Sequence, residues 1–237
     1  MDMKGIPSNM YTHHIYIKSD SHPVCQPQQR MNPNIRDIVK EEIQKLLEVG
    51  FIYPISDSEW VCPLVIVPKK NGKWRFCVDY RELNKATQKD HFPLPFIDQA
   101  LDTLSGKKLF SFLDGFSGYN QIHITPEDRD KTTFTYPWGT FAYRVLPFSL
   151  CNALATFQRA VIGIFLEMVN DSMEIFIDDF TPYGRDFEEA LKNLEKVLTC
   201  CEQTQLSLST EKCHMMMSEG VVLGHFITAD GIQVGAR

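Results

Sequence analysis

The sequence predicts an α+β protein in which an antiparallel sheet is covered by helices. Helical and strand-like segments alternate irregularly along the chain, and several strand-like segments follow one another as hairpins. A regular parallel array would instead alternate one strand with one helix. Apolar residues make up 43% of the 237 residues and charged residues 23%, which is the usage of a folded globular chain. The length suits one large domain or two small ones.

The composition excludes several classes of protein. With 24 basic and 30 acidic residues the net charge is −6, so the chain is mildly acidic. No apolar run approaches the roughly 20 residues of a membrane helix, and the amino terminus lacks the apolar core of a signal peptide. We therefore expect a soluble, intracellular protein with no membrane partner. The seven cysteines lie mostly in apolar segments, as reduced core thiols do.

The first predicted helix follows a polar segment. Residues 1–31 show no sustained periodicity, so we interpret them as an N-terminal arm or linker, and residues 32–237 as the folded domain. Asn32 can cap a helix with Pro33 at its first position, and an apolar stripe then runs to Gly50.

Two strands, LVIVPKK and WRFCVDY, are predicted next as a hairpin around the polar turn NG. Between Pro63 and Asp90 there are seven basic residues against three acidic ones, although the whole chain is acidic. The seven are Lys69, Lys70, Lys73, Arg75, Arg81, Lys85 and Lys89. This basic hairpin has the charge needed to contact phosphate oxygens.

The middle of the chain combines helices with short strands. A helix is predicted to end at Gly106, and the strand LFSFLD that follows ends at Asp114. One face of that helix is apolar: Phe96, Ile97, Ala100, Leu101 and Leu104. Short strands at NQIHIT, KTTFTY and TFAYRVL precede a helix from about Ala153 to Met168.

The last third of the chain begins with MEIFIDDFTPYG, two short strands that meet at Asp178 and Asp179. Asp186 and Glu189 form a capping-box pattern for a last helix, and GVVLGHFITADGI predicts a hairpin. Because the chain ends just after a strand with no closing helix, we expect a fragment of a longer protein.

Three carboxylates, Asp114, Asp178 and Asp179, lie where hydrophobic strands end. A carboxylate there costs stability unless it is solvated, capped or bound to a metal. For Asp178 and Asp179 alone, a solvated turn is an alternative. If the strands are neighbours, Asp114 and Asp178 would crowd like charges that a counter-cation would stabilise. Mg²⁺ prefers such oxygen ligands, and two ions about 3.5–4 Å apart support phosphoryl transfer.

Six segments, in this order, resemble the reverse transcriptase of gypsy-type LTR retrotransposons. They are WVCPLVIVPKKNGKWRFCVDYRELN, FPLPFID, FSFLDGFSGYNQI, KTTFTYPWGTFAYRVLPFSLCNALATFQ, EIFIDDF and VVLGHFIT. The resemblance runs from about Asn32 to Val234 and is specific, because several ordered motifs match. It implies an RNA-directed DNA polymerase, a nucleotidyltransferase, with the palm of a polymerase right hand and a fingers subdomain.

The resemblance also implies the catalytic residues. Asp114 matches the first catalytic aspartate of the family. FIDD matches its (Y/F)xDD hairpin, which makes Asp178 and Asp179 the second and third. These residues would bind two Mg²⁺ ions, which Mn²⁺ could replace, and join a deoxynucleotide to a primer 3′-hydroxyl.

Matching positions imply contacts to the incoming triphosphate. Arg75 matches the fingers arginine, with either Lys69 or Lys70 as its lysine partner, a choice that the shorter loop leaves open. Gly115 and Phe116 would supply backbone groups along the triphosphate.

Further positions match the family's contacts to the sugar and the primer. Tyr119 would lie beneath the deoxyribose and exclude a 2′-hydroxyl, and Phe148 lies where the family packs the nucleotide sugar and base. Gln158 closes the LPF…ATFQ motif. Gly224 and His225 fall in the primer-grip hairpin.

The resemblance implies fingers at about 32–93 and 120–147 and a palm at about 94–119 and 148–237. The thumb, connection and RNase H regions of the family are missing, as are protease and integrase. The implied partners are an RNA or DNA template-primer, deoxynucleoside triphosphates and the remaining Pol regions. The implied location is the cytoplasm or a virus-like particle.

Two departures from the family pattern leave an alternative open. Ser149 replaces a usual Gly and Leu154 a usual Pro. If that Gly has positive φ, Ser149 costs about 1 kcal/mol and would displace Phe148. The chain could then be a decayed, non-catalytic copy that retains the fold and at most nucleic-acid binding. A metal nuclease that uses the same carboxylates is a less favoured hypothesis, because a nuclease would not need Tyr119 or the basic hairpin.

Overall fold

The protein has a mixed α+β fold, as predicted. The structure, a computed structural model, describes residues 4–30, 33–68, 74–228 and 231–234. Within these ranges the α-helices are α1 (Pro33–Glu48), α2 (Arg81–Ala86), α3 (Ile97–Leu104), α4 (Ala153–Ile164) and α5 (Phe187–Thr204). The strands are β1 (Thr12–His13), β2 (Ile52–Pro54), β3 (Cys62–Pro68), β4 (Trp74–Val78), β5 (Leu109–Asp114), β6 (His123–Ile124), β7 (Phe134–Tyr136), β8 (Gly139–Tyr143), β9 (Met173–Phe176), β10 (Asp179–Gly184), β11 (His214–Met217), β12 (Glu219–Val222), β13 (His225–Thr228) and β14 (Gly231–Val234).

The chain divides into two compact units. Among the described residues, the first unit comprises 8–90 and 122–153, and the second comprises 4–7, 91–121 and 154–234. Each unit has its own sheets and its own buried side chains.

A five-stranded sheet of order β2-β8-β7-β3-β4 forms the first unit. Its strands are antiparallel except for the parallel pair β3 and β7. The predicted hairpin is confirmed for β3 and β4, in which Leu64 pairs with Val78 and Pro68 with Trp74. Its turn, residues 69–73, lies outside the described residues. Large buried side chains of this unit include Trp60, Leu64, Tyr80, Leu83 and Phe134.

Within the first unit, part of the N-terminal segment makes ordered contacts that the sequence did not predict. β1 pairs in parallel with β6, with Thr12 opposite His123. The backbone N–H of Ile15 donates to Oδ2 of Asp128 at 2.8 Å, and Lys131 forms an ion pair with the other carboxylate oxygen. These buried bonds hold residues near Ile15 against the unit, whereas a polar segment without periodicity predicted an arm.

The second unit contains a four-stranded antiparallel sheet of order β11-β5-β10-β9 and a three-stranded antiparallel sheet, β12-β13-β14. Its core includes the cluster Leu101, Leu104, Phe110, Tyr183, Val222 and Ile227. Helix α5 packs closely on β10, since a Cβ added to Gly184 would lie 2.3 Å from the backbone nitrogen of Ala190. Only glycine allows that approach.

Two predicted helices differ from the structure in detail. Phe96 and Ile97 are 77% and 41% exposed, so the buried face of α3 is narrower than predicted. Helix α4 ends at Ile164 instead of Met168. The chain turns there to enter β9, with Asn170 in a left-handed conformation at φ +67°. Asn adopts this conformation more easily than most residues.

The predicted cap of α5 is present. The N-cap residue Asp186 accepts a hydrogen bond from the backbone of Glu189 at 2.9 Å. In a standard capping box the Glu189 carboxylate would accept from the backbone N–H of the N-cap residue, Asp186. Here it accepts from the backbone N–H of the preceding residue, Arg185, at 2.8 Å. In the described parts of the chain, no helix combines the length and apolarity needed to cross a bilayer.

Candidate active site

Two of the three predicted catalytic aspartates face each other in the second unit. Asp114 is the last residue of β5 and Asp179 the first of β10, and the two are register partners. The residues next to the two aspartates, Leu113 and Phe180, are buried and anchor the ends of both strands in the core. Side chains of paired residues lie on the same face of a sheet, so the two carboxylates share one face.

Asp178 lies in the tight turn that joins β9 to β10. Phe176 pairs with Asp179, which leaves Ile177 and Asp178 as the two turn residues. Ile177 has φ +59°, a strained conformation for a β-branched residue. The backbone N–H of Gly115 donates to the Asp178 carbonyl at 3.0 Å, so the turn is bonded to the end of β5. All three aspartates therefore lie at one end of the sheet.

Gln158 supports this turn from α4. Its side chain is fully buried, and Oε1 accepts a hydrogen bond from the backbone N–H of Ile177 at 2.9 Å. Its Nε2 has no hydrogen-bond partner among the described residues. Gln158 thus holds the strained residue next to Asp178. The resemblance implies that Gln158 lies near the nucleotide. In the structure, its hydrogen bond is to the backbone of the turn that carries Asp178.

The carboxylates repel one another. Partial burial, together with the charges of Asp178 and Asp114, raises the pKa of Asp179 to about 6, while Lys212 acts in the opposite direction. Neither Asp178 nor Asp179 forms an ion pair within the described ranges. The negative charge at the end of this sheet is therefore only partly compensated, which favours cation binding.

Lys212 is a site residue that the sequence analysis missed. Its Nζ lies 3.0 and 3.1 Å from the two carboxylate oxygens of Asp114. It precedes β11, in a turn whose Ser209 donates its backbone N–H to the Asp114 carbonyl at 2.8 Å. A single lysine in the segment TEKCH carries no periodic signal and looks like an ordinary solvated residue.

The predicted triphosphate loop after β5 is fixed by another residue that was missed, Gln121. This buried side chain donates to the carbonyls of Phe116 and Ser207 at 2.8 and 2.9 Å and accepts from the Ser207 backbone at 2.7 Å. Phe116 also donates its N–H to Ser207 at 2.9 Å. Gly115 is buried, whereas Phe116 is 41% exposed. Gln121 thus holds the backbone beside Asp114 in place.

Tyr119 lies beside the aspartates, packed on α4. Its ring centroid is 5.3 Å from that of Phe157. A Cβ added to Gly118 would come within 2.9 Å of the same ring, so glycine permits this packing. Burial and the charge of Asp178 raise the pKa of the Tyr119 hydroxyl to about 12. The hydroxyl therefore remains protonated at neutral pH and able to donate a hydrogen bond.

A cleft of about 430 Å³ opens beside these residues. Asp114, Asp179 and Lys212 line it together with apolar and polar side chains of β11 and β12. The hairpin of β12 and β13 turns at Leu223 and Gly224, both with positive φ, and Nδ1 of His225 lies 3.1 Å from the Leu223 carbonyl. The predicted primer-grip residues are thus located in a tight hairpin turn, as VVLGHFIT predicts.

The remaining candidates belong to the first unit. Arg75 is exposed on β4, and Phe148 is 67% exposed. Lys69 and Lys70 lie outside the described residues. Asn84 of α2 fixes the turn next to Phe148, since its amide donates to the Ser149 carbonyl at 2.9 Å and accepts from the Cys151 backbone at 2.8 Å. Asn84 was not predicted as a site residue.

The two departures from the family pattern produce no backbone strain. Ser149 is not among the described residues with positive φ, and its carbonyl is bonded to Asn84. The anticipated cost at Ser149 is therefore absent. Leu154 is the second residue of α4, where leucine is a good helix former.

The structure brings the three predicted aspartates to one end of a four-stranded antiparallel sheet. Comparison with known families defines the class further, because the family described as reverse transcriptase (RNA-dependent DNA polymerase) matches residues 67–227. The chain belongs to this family. Membership of the RNA-directed DNA polymerases is therefore confirmed.

The relatives are retrotransposon polyproteins. The chain is 37% identical over 228 residues to the retrovirus-related Pol polyprotein from transposon opus of Drosophila melanogaster, covering 94% of this chain and 22% of that protein. It is 31% identical over 218 residues to the corresponding polyprotein from transposon gypsy of the same organism, covering 90% and 21%. The predicted gypsy-type reverse transcriptase domain is thereby confirmed, and the chain spans about a fifth of the length of these relatives.

Solved structures agree with this assignment. The foamy viral protease-reverse transcriptase in complex with an RNA/DNA hybrid matches with a TM-score of 0.85 and 25% identity, over 94% of this chain and 30% of that one. The same enzyme in complex with double-stranded DNA matches with a TM-score of 0.85 and 26% identity, over 94% and 39%. The mixed α+β reverse transcriptase fold is therefore confirmed.

Proposed function

We propose that this chain is the nucleotidyl-transfer module of an RNA-directed DNA polymerase. It would join the primer 3′-hydroxyl to the α-phosphate of a deoxynucleoside triphosphate on an RNA or DNA template. The observation that carries this proposal is the register pairing of Asp114 with Asp179, with Asp178 in the adjoining turn. In this proposal the first unit corresponds to the fingers and the second to the palm.

Two divalent cations, Mg²⁺ or Mn²⁺, would be held by Asp114, Asp178 and Asp179. Within the described ranges, no group of three or more His, Cys, Asp or Glu side chains is arranged to hold a metal ion. The donor set still fits, because Mg²⁺ commonly binds one or two carboxylates together with water and substrate phosphates. Burial raises the pKa of Asp179 to about 6, and the charges of Asp178 and Asp114 add to that shift, which supports a cation beside these residues. When bound, the ions supply charge stabilisation for an in-line phosphoryl transfer.

The other candidate residues would bind and orient the nucleotide. Arg75, with Lys69 or Lys70, would contact the triphosphate, and the backbone of Gly115 and Phe116 would lie along it. Arginine suits this contact because its planar fork binds two phosphate oxygens at once. The bonds from Gln121 keep that backbone in one conformation before the nucleotide arrives.

Tyr119 and Phe148 would select the sugar. The Tyr119 ring, packed on Phe157, is rigid enough to exclude a 2′-hydroxyl by contact. Phe148 is exposed and its turn is fixed by Asn84, which suits packing on a nucleotide. Gly224 and His225 would hold the primer, and Gln158 would act as a positioning residue for the Asp178 turn.

The proposed partners are a template-primer and the remaining Pol regions, protease, RNase H and integrase, in an intracellular particle. Template binding to this chain alone would be weak, because its acidic balance opposes contact with phosphates. The unstrained Ser149 favours a catalytic chain over a decayed copy.

Primer extension tests this proposal. The purified chain, and a longer version with the following region of its polyprotein, are incubated with a primed RNA template, deoxynucleotides and Mg²⁺. Extension that requires template, nucleotides and metal supports a polymerase. No extension by either version would contradict the proposal, and cleavage without nucleotides would favour a metal nuclease.

A further inference from the structure

Among the described residues, Lys212 is the cation that forms an ion pair with one of the three aspartates. Its Nζ lies within 3.1 Å of both Asp114 carboxylate oxygens. The Lys212 side chain is 66% exposed, whereas that of Asp114 is 20% exposed. The lysine thus reaches in from solvent and covers a carboxylate that has little access to water.

The backbone on both sides of this ion pair is fixed. Asp114 ends a strand that is hydrogen-bonded on both edges, to β10 and β11. The turn that carries Lys212 is closed by its backbone N–H to the Ser209 carbonyl at 3.0 Å, and Ser209 is bonded to Asp114. Only the long lysine stem is free to move, and ion pairs of exposed lysines exchange readily.

The same oxygens are those that the proposed function assigns to a metal ion. The Lys212 ammonium group lies 3.0 and 3.1 Å from the two Asp114 oxygens and places a positive charge where a cation would bind, so the lysine and the cation compete for that carboxylate. Asp178 and Asp179 have no ion pair within the described ranges, so Lys212 provides their compensation as well.

We infer that Lys212 is a built-in competitor of the divalent cation. It compensates the aspartates when no metal is bound, and it leaves Asp114 when metal binds. This inference rests on the proposed function. Its consequence is that the side chain at position 212 sets the affinity of the free protein for metal, with no nucleotide present.

Mn²⁺ binding measured by electron paramagnetic resonance on the full chain, without nucleotide, tests the inference. Lys212→Met removes the charge and keeps most of the stem, so we expect binding about three- to fivefold tighter, as an exposed ion pair allows. Lys212→Arg replaces a point charge with a bidentate fork, so we expect weaker binding than in the wild type. Lys196→Met, an exposed lysine of α5, is the matched control with unchanged affinity.

A second measurement checks the compensating role. In EDTA, Lys212→Met should have a lower melting temperature than the wild type, and added Mn²⁺ should raise its melting temperature by more. Equal or weaker Mn²⁺ binding by Lys212→Met would overturn the inference, provided that Asp114→Asn weakens binding. If Asp114→Asn leaves Mn²⁺ binding unchanged, the metal site of the proposed function fails, and the inference fails with it.

Discussion

Asp179 is the direct partner of Asp114 across two neighbouring antiparallel strands. The backbone hydrogen bonds of the sheet hold the two carboxylates at this position, so their repulsion cannot be relieved by moving the strands apart. Lys212 offsets the charge of Asp114, and Asp179 responds by holding its proton more tightly. The site is therefore strained electrostatically before any cation arrives.

The pKa of Asp179 is raised mainly by burial and further by the charges of Asp178 and Asp114, which predicts that Asp179→Asn stabilises the metal-free protein at alkaline pH. Because the pKa of Asp179 is raised from 3.8 to about 6, the folded chain binds this proton more tightly than the unfolded chain. The resulting stability is complete below about pH 4 and is lost as the pH rises through about 6. We expect a gain of at most about 1 kcal/mol at pH 8, since solvent screens this partly exposed residue, and none at pH 4.

Urea unfolding in EDTA at pH 4, 6 and 8 measures this effect. Asp171→Asn, which removes an exposed aspartate outside the site, serves as the control. A gain that is equal at all three pH values, or absent at pH 8, would contradict the raised pKa of Asp179.

A second prediction concerns Gln158. Gln158→Met removes the acceptor for the Ile177 backbone and also the unpaired Nε2, so the net loss of stability should be only about 1 kcal/mol. The turn that carries Asp178 loses its support, and primer extension should fall about tenfold or more, because small misplacements of reacting groups are costly. Gln203→Met on the surface of α5 should change neither unfolding nor extension. Loss of stability without loss of activity would show a purely structural role.

The third prediction concerns Asn84. Asn84→Ala removes two hydrogen bonds to the turn beside Phe148, which should cost about 2 kcal/mol of stability. If Phe148 packs on the nucleotide, the KM for deoxynucleotide should rise more than kcat falls. Steady-state kinetics with varied nucleotide concentration separates the two effects. Asp57→Ala, an exposed change in the same unit, is the control. An unchanged KM would remove Asn84 from nucleotide binding.

The sequence predicted the elements that carry strong periodicity. The strand ending at Asp114, the hairpin around Asp178 and the cap at Asp186 all agree with the structure, because apolar strand segments, turn residues and capping residues are local signals. The sequence showed only what would follow if the aspartate strands were neighbours, and the structure pairs β5 with β10. Their actual register depends on tertiary pairing, which no local pattern specifies.

Several residues could not be found in this way. Lys212, Gln121 and Asn84 act through single hydrogen bonds or ion pairs to distant backbone, and such contacts leave no periodic pattern. The packing near Ile15 depends on Asp128, a partner more than a hundred residues away. Helix α4 ends at Ile164 and not at Met168, because the chain turns after Ile164 to enter β9. The apolar pattern that continues to Met168 does not extend the helix.

The most direct measurement is template-dependent primer extension by Asp178→Asn beside the wild type and Asp171→Asn, with circular dichroism to check the fold. Removing one ligand charge should abolish extension, a loss of about a thousandfold or more, while the fold and the Asp171→Asn activity remain. Extension by Asp178→Asn at a rate near that of the wild type would contradict a metal site built from these three aspartates.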